Sequence, residues 1–225
     1  MSESFLDELC ACRRCRRLAD YLGSIRPAKG RGPDAYWSRP VPGFGDPDAG
    51  ICLVGLAPGA HGANRTGRPF TGDGAGDFMY PLLHRAGLSN QAEIRDLNDG
   101  LELRGLYITN AVKCAPPQNK PAPDEFRRCA PYLEEELGAL KKLRVVLLLG
   151  QGAYASYLRL LKERGDIGRV ADHPFAHGAA FRPSRNGPWV LASYHTSRYN
   201  VQTGRITQPM FLELLEQAKV LAGVL

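Results

Sequence analysis

Ile51-Cys52-Leu53-Val54-Gly55-Leu56-Ala57-Pro58-Gly59-Ala60-His61-Gly62-Ala63-Asn64-Arg65-Thr66-Gly67-Arg68-Pro69-Phe70-Thr71-Gly72-Asp73 is an apolar run leading into a long glycine-rich loop. The first four residues read as a buried strand. A polar, glycine-rich loop at the end of such a strand is where open α/β sheets bind ligands. Its glycines let backbone approach a partner that side chains would block. Arg65, Arg68, Phe70 and Asp73 share the loop. Two cations, a ring and a carboxylate suit an anionic partner that carries a flat ring.

Three more short apolar runs follow, at 105–110, 145–150 and Trp189–Ser193. With Ile51–Gly55 they make four strand candidates of the kind buried on both faces. Helical patterns separate them at 74–86, 123–140, 151–164 and 209–221. The third begins directly after its strand, so Gly150-Gln151-Gly152 reads as a tight strand-to-helix turn, despite a weak likeness to a phosphate loop. Strands alternating with helices predict an α/β chain, a three-layer α/β/α sandwich around a four-stranded parallel sheet. At 225 residues, one domain over 1–225 is expected. The N-terminal segment 5–22 reads as helix interrupted by cysteines, and residues 24–49, rich in Gly, Pro and Arg, read as loop.

The unusual polar residues cluster just after the strands: 55–73, 111–120 and 195–205. In a parallel sheet these positions share one edge, so they can form one site.

There is no apolar run of membrane-spanning length and no secretory signal, so a cytoplasmic, nucleoid-associated protein with no membrane partner is expected. The net charge is +6, carried mostly by arginine, which suits bidentate phosphate contacts. Arginine-favouring codon usage explains the same surplus equally well.

Six cysteines in a cytosolic chain point to metal or catalysis before disulfides. Cys12-Arg13-Arg14-Cys15 spaces two thiolates for one metal centre, and Cys114 with Cys129 completes a four-thiolate set. Zinc and an iron–sulfur cluster both fit that set. Spacing does not exclude Cys10. Cys52 lies within a strand and reads as core.

Asn119, in the proline-rich loop after Cys114, has an amide able to read a base edge, or else makes a turn. His195 stands just past the last strand, followed by small hydroxyls and by Arg198 and Arg205, groups that hold phosphates. Phe70 is either a loop anchor or a stacking platform for a base. Asp73 is either a helix N-cap or a catalytic carboxylate.

Taken together, the motifs resemble the type-5 uracil-DNA glycosylases over nearly the whole chain. The match comprises the C-x-x-C, the loop 55–73, the Cys114 to Cys129 spacing, His195-Thr196-Ser197-Arg198 and Gln202-Thr203-Gly204-Arg205. The resemblance implies a [4Fe–4S] cluster on Cys12, Cys15, Cys114 and Cys129, with a structural role. It implies excision of uracil from DNA, and the type-5 group is associated with a wider range of damaged bases, hypoxanthine included. Double-stranded and single-stranded DNA are the expected partners. Most other families of these enzymes place Asp or Asn where this chain has Ala57, and alanine there is typical of the type-5 group.

On this basis Phe70 is expected to stack on the flipped base and Asn119 to read its edge. His195 should donate to O2 as charge develops, with help from the backbone amides of Ala57 and Gly59. Asp73 should orient water or stabilise the sugar cation. Arg65, Arg68, Arg198 and Arg205 should meet phosphates, and Tyr199 or Val201 should fill the gap left by the base. A monomer is expected. The rival classes are an iron–sulfur redox protein and a noncatalytic damaged-DNA-binding module. No G-x-G-x-x-G follows a strand to support the first.

Overall fold

The four strand candidates do form one sheet. The computed structural model describes residues 1–28 and 36–223. Its parallel strands are β2 (Ile51–Gly55), β3 (Leu106–Asn110), β4 (Val145–Leu149) and β6 (Trp189–Ser193), and two-residue edge strands β1 (Phe44–Gly45) and β5 (Ala180–Phe181) flank them. The order is β1-β3-β2-β4-β6-β5. The inner four run parallel and both edges are antiparallel. The sheet is therefore mixed at its rims. The edge strands lack a strand's length of alternating residues, so periodicity does not reveal them. β1 lies in the segment expected to be loop, of which residues 29–35 fall outside the described residues.

Period-two alternation divides the apolar runs between two cores. Leu53, Ile108, Leu147 and Leu191 face one side. There they pack on α4 (Gly74–Arg85) through Met79 and Leu83, and on α8 (Gln208–Ala222) through Phe211 and Leu215. Cys52, Val54, Tyr107, Val146 and Val190 face the other side, against α5 (Pro123–Ala139) and α6 (Gln151–Glu163). Cys52 is thus a core residue. Leu53 pairs with both Ile108 and Leu147, so the central register places Gly55, Asn110, Leu149 and Ser193 along one edge.

At the N-terminus, α1 (Glu3–Ala11) and α2 (Arg16–Ser24) break at Cys12-Arg13-Arg14-Cys15. Phe5, Leu9 and Leu18 pack with Val112 and Tyr132 in a third apolar cluster that includes the cysteines. Gly150 has φ +89°, and α6 starts at the next residue, so 150–152 is a strand-to-helix turn. No helix among the described residues is long and apolar enough to cross a membrane.

Candidate active site

The loops leaving the sheet edge enclose a cavity of about 390 Å³. Ala57, Gly59, Phe70, Asp73, Asn119, His195 and Arg198 all line it. They come from three loops separated in sequence, brought together because parallel strands end on one side.

Pairing between β2 and β3 continues past the sheet. Ala111 N–H donates to Gly55 O at 2.9 Å, and Val112 N–H to Leu56 O at 3.0 Å. This seats the Ala57 loop beside the Asn110–Cys114 loop. A Cβ on Gly55 would collide with the Phe70 ring and with Asn110 Oδ1. The glycine is therefore required where ring and amide close over the strand end.

Phe70 is both anchor and cavity wall. It is buried with φ +54°, a region that non-glycine residues enter only under constraint. The constraint is visible: Tyr80 Oη–H donates to Pro69 O at 3.0 Å, and Thr66 Oγ1–H to Thr71 O at 3.1 Å. The Phe70 and His195 ring centroids lie 6.3 Å apart.

Arg68 departs from its expected place on the DNA surface. Its side chain is 4% exposed and forks onto Asp99 at 2.8 and 2.5 Å, with Nε donating to Thr71 Oγ1 at 3.0 Å. Asp99 is held well below the usual carboxylate range. Burial opposes this shift, and bonds from Arg68 and the Arg95 and Leu101 amides outweigh it. The pair ties the Phe70 loop to the 95–101 turn, so Arg68 is a buried strut and its guanidinium is turned to Asp99 rather than to the surface.

Asp73 caps α4, its Oδ1 accepting from the Ala75 and Gly76 amides at 3.0 Å each. Its Oδ2 faces Gly59 and Gly62. Capping and cavity lining coexist because a carboxylate has two oxygens.

His195 follows β6, and Asn200 Nδ2 donates to its carbonyl at 2.8 Å. Burial lowers its pKa and Asp73 raises it in part, with burial prevailing. Burial thus favours the neutral imidazole, which can donate from one nitrogen without bearing charge.

Gln118 and Asn119 both adopt left-handed φ, 55° and 57°. Asn119 is exposed on one side and lines the cavity on the other. Arg198 lies at the cavity edge, its Nε 3.3 Å from where Gly74 would carry a Cβ. It opens α7 (Arg198–Gln202), a short helix. Tyr199 on α7 is 72% exposed. Arg205 stacks on the Tyr194 ring at 4.9 Å. Arg65 Nε donates to His61 O at 3.2 Å. Arg65, Tyr199 and Arg205 lie outside the cavity lining.

Sequence reading missed Asn110 as a site residue. It ends β3, is buried and lines the cavity. The available signal was a polar residue closing an apolar strand at the shared edge.

Cys12, Cys15, Cys114 and Cys129 line one small cavity with Leu18, Val112 and Tyr132. Lys113 N–H donates to Cys129 Sγ at 3.2 Å. Burial and the neighbouring thiols raise the Cys114 pKa, and burial holds Cys129 up at about 11 despite Lys113. Among the described residues, no three His, Cys, Asp or Glu side chains gather tightly around one point. Four thiols lining one cavity are a donor set of the kind that either zinc or an iron–sulfur cluster takes.

The family model of the uracil DNA glycosylase superfamily matches residues 42–219, and the chain belongs to that superfamily. It is 54% identical over 226 residues to a type-5 uracil-DNA glycosylase of Thermus thermophilus, covering 99% of both chains. It is 41% identical over 223 residues to the type-5 enzyme of Pyrobaculum aerophilum, covering 99% of this chain and 94% of that one. With a type-4 uracil-DNA glycosylase of Archaeoglobus fulgidus the likeness falls to 36% over 159 residues, 69% of each. The full-length similarity is thus to the type-5 branch.

Proposed function

We propose that this chain is a base-excision repair enzyme that hydrolyses the N-glycosidic bond of uracil in DNA. The observation that carries this is the meeting of Phe70, Asp73, Asn119 and His195 around one cavity at the sheet edge. Its volume, about 390 Å³, is in the range of small-ligand sites.

The target base leaves the stack and enters this cavity. Phe70 stacks on it, and the Asn119 amide reads its edge, accepting from N3–H and donating to O4. Neutral His195 donates to O2, where negative charge grows as the bond breaks. A donor aimed at developing charge in a dry site contributes about 3 kcal/mol. The amides of Ala57 and Gly59 reinforce it. Asp73 Oδ2 orients water or stabilises the sugar cation, the task that Ala57 cannot perform. Arg65, Arg198 and Arg205 meet phosphates, and Tyr199 fills the gap in the duplex.

Cys12, Cys15, Cys114 and Cys129 are the residues that would hold a [4Fe–4S] cluster. When bound it supplies a rigid crosslink between the N-terminal helices and the Cys114 loop, and no electron transfer is needed for hydrolysis. We extend the reading to single-stranded DNA and to other deaminated bases such as hypoxanthine, and to a monomer acting in the nucleoid.

The test is incubation with a uracil-containing duplex followed by alkali. Cleavage at the uracil position is expected. Tight binding without cleavage sinks the reading in favour of a binding module. Cluster reduction or oxidation coupled to turnover sinks it in favour of a redox protein.

A further inference from the structure

We infer that Arg17 is a positioning residue for base reading, acting on Asn119 through the backbone of the next residue, Lys120. The inference rests on the role proposed above for Asn119. Arg17 lies on α2, two residues past Cys15, and far in sequence from the loop it reaches. Its Nε donates to Glu125 Oε1 at 2.8 Å and its Nη2 to Oε2 at 2.6 Å. The same Nη2 donates to the carbonyl of Lys120 at 3.1 Å. Glu125 is buried, and its Oε2 also accepts the Ala122 amide at 2.6 Å. One carboxylate and one guanidinium thus join α2, the start of α5 and the Lys120–Pro121 peptide, one residue past Asn119.

The turn that leads into that peptide needs holding. Gln118 and Asn119 are consecutive non-glycine residues at positive φ, a conformation that persists only where its surroundings impose it. On the near side, the Asn119 amide bonds to Pro116 O at 3.2 Å and the Lys120 amide to Pro117 O at 3.1 Å. Those contacts are local to the turn. Arg17 supplies an anchor from outside it. A guanidinium can grip a carboxylate and a carbonyl together because its donors are fixed in one plane. The aim of the Asn119 side chain into the cavity follows from the backbone that Arg17 fixes, so the N-terminal helices have a stake in which base is read.

A double-mutant cycle tests this. Arg17→Ala, Asn119→Ala and the double variant are compared in single-turnover excision of uracil from duplex DNA. Iron content and binding to an abasic duplex are measured alongside. Arg17→Ala is expected to slow excision on the order of 10- to 100-fold, the scale for a small misplacement of a binding group. Iron content and abasic-DNA affinity should hold, since an abasic site offers no base to read. In the Asn119→Ala background, Arg17→Ala should add almost nothing. Equal slowing in both backgrounds overturns the inference and leaves the role of Asn119 intact. Normal excision by Asn119→Ala alone removes the role of Asn119 itself. Should Arg17→Ala fail to fold, Arg17→Lys takes its place, keeping the charge without the fork. Loss of iron from both Arg17 variants also overturns the inference, because Arg17 would then serve the cysteines.

Discussion

A Cβ on Gly62 would lie 2.5 Å from Asp73 Oδ2. The carboxylate therefore leans on bare backbone across its own loop, while Oδ1 is held by two amides at the start of α4. One oxygen fixes the group and the other is left at the cavity. Asp73→Asn separates the two duties, since Asn also caps helices well. Excision should fall on the order of 10²-fold or more, the scale of general-base catalysis. The melting temperature and abasic-DNA affinity should stay put. Near-normal excision would leave Asp73 a cap and nothing more.

His195→Ala should slow uracil excision whatever Asp73 does, because it acts on the leaving base. The pH dependence has a defined sign. Burial depresses the folded-state pKa below the ordinary value of about 6.5, so the neutral ring's contribution is complete above that value. It is lost as pH falls through the depressed folded value. Thermal melts of the wild type should drop through that acid range more steeply than those of His195→Ala. His177, also depressed by burial, contributes equally to both proteins. Parallel acid limbs would remove His195 as the source.

Arg68 and Arg198 should fail in different ways. Arg68→Ala leaves Asp99 buried without its partner, a loss of about 3–5 kcal/mol of stability. It should leave the salt dependence of DNA binding unchanged. Arg198→Ala and Arg205→Ala should keep the melting temperature and each lower the salt slope by about one, as one phosphate contact is lost. A flattened slope with Arg68→Ala would return that residue to the DNA surface.

Serine at position 12, 15, 114 or 129 should each cost iron and visible colour, measured by iron assay and absorbance. Cys10→Ser and Cys52→Ser should retain both, one lying outside the four-cysteine cavity and the other in the sheet core. A colourless wild-type protein with stoichiometric zinc would dispose of the cluster.

Tyr199→Gly should harm excision from duplex DNA more than from single strands, where no stack must be opened. The ring is an exposed aromatic side chain on a short helix that begins three residues past His195. Equal losses on both substrates would mean that α7 has merely lost its shape.

The parallel core was written in the chain. Runs such as Val145–Leu149 are apolar at every position, which only a strand covered on both faces tolerates, and their spacing leaves room for one crossover helix each. The site's location followed, because parallel strands must end on one edge. The cysteine set and the residues His195, Asn119 and Phe70 were legible as residue types after those strands. What tertiary structure alone decided was where charged and polar side chains went. Arg65 and Arg68 are three apart in one loop and chemically alike. Only the arrival of Asp99, 31 residues later in the chain, buries the second and leaves the first near the surface. Asn110 became a cavity wall because Gly55 let it close over the strand, and Arg17 met Glu125 across 108 residues. Local propensity acts over a few residues, whereas a buried charge is placed by whichever opposite charge the completed fold brings to it.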